Sequence, residues 1–284
     1  MALFKRRQSD APVPVIGVVR FSVLMQEAGE FRLSRTAVLE ERRRVLFDPA
    51  RLEERFRIFE AVTLSSALAQ PAEAFTLLVV ASSELPEPWR TRLSDLLAPH
   101  ANTALVWMRP EQSLPDLVKA ETGRLFPDAP RSAVLRLDDD DGLSRHFTED
   151  LVRVMRQWDR GQDMAFSFPL GHLVGLPDTE GKLLVQRDHH TYGIACGLTM
   201  LTARNFRKGP FDLGWPHRMI DKVLPTISES RRPAYVLISH GSNDTGTESV
   251  RWRRLKQCAP ISVSKARAEL GRDFAHLDLE ALVH

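Results

Sequence analysis

Apolar residues come in two rhythms along the chain. Short unbroken runs predict buried strands, and runs recurring every three to four residues predict amphipathic helices. Val15-Ile16-Gly17-Val18-Val19-Arg20-Phe21 is the first strand-like run, opened by Pro12 and Pro14. The stretch from Phe31 to Phe47 is rich in arginine and glutamate and weakly patterned, and reads as a surface loop with one helical turn. From Arg51 to Gln70 the apolar Leu52, Phe56, Phe59, Val62, Leu64, Ala67 and Leu68 recur at helical spacing. Arg51, Glu54, Arg55, Arg57 and Glu60 take the other face, and Pro71 stops the helix. Further strands are predicted at Phe75–Ala81, Asn102–Met108 and Ser132–Leu137, separated by helices around Trp89–Leu97 and Leu114–Val118. Phe147, Leu151, Val154, Met155 and Trp158 mark a further helix. From Met164 to Thr202 the runs are short and broken by glycines, as in hairpins; a helix near Trp215–Leu224 and a strand at Ala234–Ser239 follow.

Strands alternating with helices imply βαβ units, and those imply an α/β fold whose central sheet is mostly parallel and covered on both faces. With 284 residues, the expected organisation is a flexible segment over 1–14 and a single domain over 15–284, divided into halves at 15–160 and 161–284. Composition changes this picture little. Hydrophobic residues make up 43% and charged residues 27%, ordinary for a globular chain. The net charge of +2 is too balanced for a dedicated nucleic-acid binder, so no nucleic-acid partner is expected. No run approaches the roughly 20 apolar residues of a membrane span. Cys196 and Cys258 are the only cysteines, which excludes a disulfide scaffold and a cysteine-built metal site. The expectation is a bacterial-type cytoplasmic protein, with a position peripheral to the inner face of the membrane as an addition to it.

The distinctive chemistry is Asp138-Asp139-Asp140-Asp141-Gly142, directly after a buried strand. In an open parallel sheet, ligands sit beyond the carboxyl ends of the strands. Adjacent carboxylates repel one another unless a cation is present, and oxygen donors of this kind suit magnesium, manganese or calcium. An EF-hand register fails, because it puts Leu137 and Thr148 at ligand positions. A phosphatase of the haloacid-dehalogenase type fits Asp139-Asp140-Asp141-Gly142 literally, but there the motif normally ends the first strand, and here it ends the fourth. The remaining reading is a glycosyltransferase D-x-D.

The chain resembles the rhamnosyltransferase-like family of GT-A-type glycosyltransferases. The residues that carry the resemblance are Val18-Val19-Arg20-Phe21-Ser22, Arg57-Ile58-Phe59-Glu60 with Thr63-Leu64-Ser65-Ser66, the run Phe75–Ala81, and Arg136-Leu137-Asp138-Asp139-Asp140-Asp141-Gly142-Leu143. A weaker match lies at Ile238-Ser239-His240-Gly241-Ser242-Asn243. The resemblance implies a GT-A-like, Rossmann-like nucleotide-sugar-binding fold and transfer of a sugar, with rhamnose suggested by the family's name. The donor would be a nucleoside-diphosphate sugar, the acceptor a glycan or lipid-linked molecule, the cofactor Mn or Mg, and the outcome inversion. It implies Asp138, Asp140 and His240 at the metal, and Arg20, Phe21, Arg57, Asp138, Asp139 and Asp141 at the nucleotide sugar. The D-x-D register is open between Asp138/Asp140 and Asp139/Asp141.

An inverting transfer needs a group that takes the acceptor's proton. Asp188, His189, His190, Asp212, His217 and Asp221 are candidates, and the resemblance implies His217, whose segment precedes or opens a helix as the base-bearing segment does in many GT-A enzymes; a structural, Trp-packed histidine is the alternative. A phosphatase and a non-catalytic nucleotide- or glycan-binding domain are the alternative functions. The basic run Arg251, Arg253, Arg254, Lys256, Lys265 and Arg267 reads as a solvated face, with contact to an anionic membrane or nucleic acid as its alternative.

Overall fold

A computed structural model describes residues 12–26, 38–177, 180–189, 193–203, 209–211, 216–240 and 250–283. The expected flexible segment therefore lies almost wholly outside the described residues, as do His190, Asp212 and Gly241-Ser242-Asn243.

The central sheet has seven strands: β1 (Val15–Phe21), β2 (Phe75–Ser82), β3 (Thr103–Met108), β4 (Arg131–Asp138), β6 (Met164–Ser167), β9 (Thr199–Ala203) and β10 (Thr226–Ser228). Their order is β10-β6-β9-β4-β1-β2-β3, and β9 alone runs antiparallel to its neighbours. The α/β fold with a mostly parallel central sheet is thus what the structure has. A second sheet, in the order β12-β8-β7-β11-β5, contains β5 (Asp141–Leu143), β7 (Leu170–Gly175), β8 (Lys182–His189), β11 (Tyr235–Ser239) and β12 (Ile261–Ser262).

Helix α1 (Leu39–Leu46) occupies part of the stretch read as a loop. It is anchored by polar contacts: buried Arg42 donates to the carbonyls of Met25 and Gln26, and Arg43 donates to Glu84 Oε2 at 2.6 Å. A helix held this way carries little apolar periodicity, which is why the pattern missed it. The amphipathic stretch that follows forms three segments: α2 (Pro49–Ile58), a π-helical stretch over Phe59–Leu64, and α3 (Ser65–Leu68). Asp48 caps α2 by accepting the Arg51 N–H, and Pro49 takes the first turn, where no amide donor is needed. Wide turns of this type occur mostly as single insertions, often near functional sites. Here the carbonyl of Ala61 accepts the N–H of Asp278 from the C-terminal segment.

The remaining helices are α4 (Trp89–Leu97), α5 (Leu114–Leu125), α6 (Phe147–Trp158), α7 (Val250–Leu255) and α8 (Val263–Leu270). In place of the helix expected near Trp215–Leu224 there is a short 3-10 turn, His217–Lys222, broken at Met219. The core divides by sheet face. Val19, Phe21, Leu135 and Leu137 pack under α2 and α6, while Ile16, Val18 and Val134 pack with α5 on the other side. Val236, Ile238, Val62, Leu277 and Leu282 join the second sheet to the π-helical stretch and the C-terminal segment. Buried Gln70 ties α3 to α6, donating to the carbonyls of Ser66 and Ser144 and accepting from the backbone and hydroxyl of Thr148.

Candidate active site

The parallel register sets Arg20, near the end of β1, opposite Asp138 at the end of β4. Arg20 Nη2 donates to Asp138 Oδ1 at 2.9 Å, and Arg136 Nε lies 3.6 Å from the same oxygen. The Phe211 ring sits 5.6 Å from the Arg20 guanidinium. Burial and the neighbouring Arg136 charge lower the Arg20 pKa, and Asp138 partly offsets them.

Beyond β4 the chain turns, and each aspartate goes a different way. Asp139 is buried against Arg55 of α2, which donates Nε to Oδ2 at 2.9 Å and Nη2 to Oδ1. Burial raises the Asp139 pKa, with the Arg55 charge opposing it. Asp141 belongs to β5 and is buried in register with Leu237 of β11. Gly142 packs closely: a Cβ there would lie 2.9 Å from Val62 Cγ1, so a side chain at this position would force Val62 or β5 to shift.

Asp140 meets His240. The ring Nε2 lies 3.2 Å from Asp140 Oδ2, and Nδ1 lies 3.5 Å from Glu54 Oε1, on α2. His240 is 2% exposed. Burial lowers its pKa, but the hydrogen bonds and charges of Asp140 and Glu54 outweigh it, and the net shift is upward. His240 therefore stands beside the acidic run. His240 follows β11 of the second sheet, and β11 pairs antiparallel with β5, which carries the last aspartate.

Four residues expected at the nucleotide have other surroundings: Asp139 and Asp141 are 3% and 5% exposed as just described, and Phe21 and Arg57 lie elsewhere. The Phe21 side chain is fully buried, with ring centroids 4.7 Å from Phe56 and 5.3 Å from Phe59, because strand alternation turns it away from the Arg20 face into the core. Arg57 donates to the carbonyls of Ala281 and Leu282, closing the C-terminal turn onto α2. It does not pair with Glu53 or Glu60; Arg92 takes those carboxylates. Among the candidate bases, Asp188 is fully buried, accepting from Tyr235 Oη at 2.8 Å and Arg254 Nη1 at 2.7 Å, a structural pairing. His189 is exposed at the end of β8, and Asp221 is exposed on the 3-10 turn.

His217 is half-buried, at the carboxyl edge of the central sheet. Ser167 ends β6, which runs parallel to β4, and its Oγ accepts the Gly193 N–H at 2.9 Å. A Cβ on Gly193 would lie 2.7 Å from the His217 carbonyl oxygen, and its φ of +70° also calls for glycine. Two strand spacings, roughly 10 Å, separate β6 from β4. Glu54, Arg55 and Arg136 escaped sequence reasoning. The first two read as one solvated helix face, and nothing in a helical period tells which charged residue meets a strand end.

Among the described residues, no three His, Cys, Asp or Glu side chains form a ready-made metal cage. The Asp140 carboxylate is a donor that suits a magnesium-like ion, which is often held by one or two carboxylates with substrate phosphates and water completing the shell. A carboxylate oxygen facing a ring nitrogen at 3.2 Å needs a positive species between them, a proton or a cation. The haloacid-dehalogenase register does not fit: its nucleophile would be Asp139, which is 3% exposed and held by Arg55.

A mostly parallel sheet with its polar cluster at the carboxyl edge defines a ligand-binding α/β domain. Residues 14–252 match the sequence family described as "Putative rhamnosyl transferase", and the chain belongs to that family of glycosyltransferases. No curated protein matches the chain. Among solved structures, residues 1–349 of S. aureus TarS in complex with UDP-GlcNAc align with a TM-score of 0.44 and 9% identity, over 86% of this chain and 64% of that one. The same TarS segment in complex with UDP aligns with a TM-score of 0.42 and 9% identity, over 80% and 61%. The chain spans less than two thirds of these TarS chains, and so distant a likeness assigns neither residue nor ligand to it.

Proposed function

We propose that this glycosyltransferase moves a sugar, rhamnose on the family's description, from a nucleoside-diphosphate donor to a glycan or lipid-linked acceptor, with inversion and with help from Mn²⁺ or Mg²⁺. The observation that carries the reading is the convergence of Asp140 and His240, with Asp138 held by Arg20 on the adjoining strand end. Asp140 and His240 would hold the ion, with Asp138 at the donor ribose or an ion-bound water. Once bound, the cation supplies Lewis acidity to the departing diphosphate. Arg20 fixes Asp138 and adds positive charge at the strand end. Asp141 and Asp139 shape the turn from behind. His217 is the proposed base: a ring nitrogen takes the acceptor hydroxyl proton as the new C–O bond forms and the bond to the diphosphate breaks.

The test is turnover. Purified protein supplied with nucleotide sugars is expected to release nucleoside diphosphate only with Mn²⁺ or Mg²⁺, and His217→Ala to slow kcat by about 100-fold or more. Turnover of p-nitrophenyl phosphate with no nucleotide sugar consumed would replace the reading with a phosphatase.

A further inference from the structure

The family match ends at residue 252, yet the candidate site is backed by residues beyond it. Residues 272–283 hold two 3-10 turns, Arg272–Phe274 and Ala281–Val283, and bury Phe274, Leu277, Leu279 and Leu282. Three elements receive this segment, and each carries part of the site. On β5, directly after the acidic turn, the Leu143 carbonyl oxygen lies 3.1 Å from His276 Nε2, and the N–H of Arg145 just beyond donates to the Asp273 carbonyl at 2.9 Å. On the helix that supplies Glu54 and Arg55, Arg57 Nη1 donates to the carbonyls of Ala281 and Leu282 at 3.0 and 2.8 Å. The Asp278 N–H reaches the Ala61 carbonyl at 3.0 Å, in the π-helical stretch. On β11, which leads to His240, Val236 and Ile238 share one apolar cluster with Leu277. Leu277 stands where these meet: a Cβ on Gly142 would lie 3.5 Å from its Cδ2 and 2.9 Å from Val62 Cγ1.

We infer that residues 272–283 set the spacing of the candidate site from behind, with Leu277 as wedge and Arg57 as clasp, so that both are positioning residues for donor binding. β5 and β11 share only three paired positions, and α2 meets them by packing and side-chain contacts rather than by a ladder. A shift of α2 against β5 moves Arg55 away from Asp139 and Glu54 away from His240. A buried wedge resists that shift because a close-packed interior transmits displacement. The inference rests on the nucleotide-binding reading above for its purpose, whereas the bracing itself does not depend on that reading.

Two readouts test it, both well below the unfolding midpoint of every variant. The first is the Kd for UDP, GDP and dTDP, each with Mn²⁺. For the nucleotide that the wild type binds best, Kd is expected to rise by about 5-fold or more in Arg57→Ala and in Leu277→Ala. Arg57→Lys, which still donates to the two carbonyls, should recover most of the loss. Leu277 is 2% exposed, so its effect has to be transmitted, and Leu277→Val gives the same comparison if the alanine variant folds poorly. Leu97→Ala is the control for general destabilisation, because buried Leu97 ends α4 at the opposite, amino edge of the central sheet; its Kd should stay within about twofold of wild type. The second readout is amide hydrogen exchange of the ligand-free protein, which should quicken over 138–145 in Arg57→Ala and Leu277→Ala but not in Leu97→Ala. Kd within about twofold of wild type in both Arg57→Ala and Leu277→Ala overturns the inference, as does an equal rise in Leu97→Ala. If the wild type binds none of the nucleotides, the nucleotide-binding reading falls, and exchange over 138–145 decides the bracing alone: unchanged rates in Leu277→Ala overturn it.

Discussion

Asp138, Asp139 and Asp140 are neighbours in sequence, yet Arg20 of β1, Arg55 of α2 and His240 after β11 each hold one of them. Different environments give them different consequences on mutation. Asp140→Ala removes a ligand from the crevice and no core packing, so Mn²⁺-dependent nucleotide binding is expected to weaken by at least about 100-fold. Its thermal midpoint should fall modestly, because the variant also takes from the buried His240 ring the carboxylate that faces Nε2. Unchanged Mn²⁺-dependent affinity in that variant would transfer the ligand role to the Asp139/Asp141 register. Arg55→Ala is the opposite case. It leaves Asp139 buried without its main cation, a loss on the order of 3 kcal/mol in denaturant unfolding. Adding Asp139→Asn should recover part of this, and a small effect of Arg55→Ala alone would show that the pair contributes little.

At the scale of elements, the closest junction is β5 against the π-helical stretch. Gly142→Ala forces a methyl group against Val62 and is expected to destabilise by about 1–3 kcal/mol, while Gly142→Ala with Val62→Ala should recover much of it. Additive losses in that double-mutant cycle would mean the two residues are not in direct conflict. The elements differ in how far they could be read. Apolar runs such as Val15–Phe21 and Phe75–Ala81 announce buried strands, and the order of strands, helices and acidic turn follows from them. Helix α1 was not legible, because Arg42 and Arg43 anchor it through polar partners distant in sequence. Nor was β5, since three residues beginning with an aspartate carry no strand pattern and depend on pairing with β11. The Asp138–Asp140 turn was legible as a candidate site because a strand end is marked by where its apolar run stops, whereas Arg20 entered through the family resemblance. Phe21 and Arg57 were misplaced because a motif gives residue types, while facing is decided by strand alternation and by the C-terminal turn that Arg57 meets.

For the whole molecule, acid sensitivity should come from two histidines where the second sheet meets the C-terminal segment. Burial, reinforced by the Arg187 charge, pushes His172 from 6.5 down to about 4. Burial also brings His276 from 6.5 to about 4, although its Nε2 lies 3.1 Å from the Leu143 carbonyl oxygen. Between those values the unfolded chain binds more protons than the folded one at these two sites, so their contribution to stability is full above about pH 6.5 and falls as the pH drops toward about 4. Denaturant midpoints across that window should show the decline, and His172→Phe should flatten it; a profile level from pH 7 to about 4 would contradict the burial argument. No helix among the described residues is long and apolar enough to cross a membrane.

The central claim is that the carboxyl edge at Asp138–Asp140 and His240 binds a nucleotide sugar together with a divalent cation. Thermal unfolding across UDP-, GDP-, dTDP- and CMP-sugars, each with and without Mn²⁺, measures this directly, because a ligand bound to the folded state alone raises the midpoint. The account predicts a rise with one nucleotide class, present only with Mn²⁺ and absent in Asp140→Ala. A rise of equal size without the cation, or one that survives in Asp140→Ala, would contradict it.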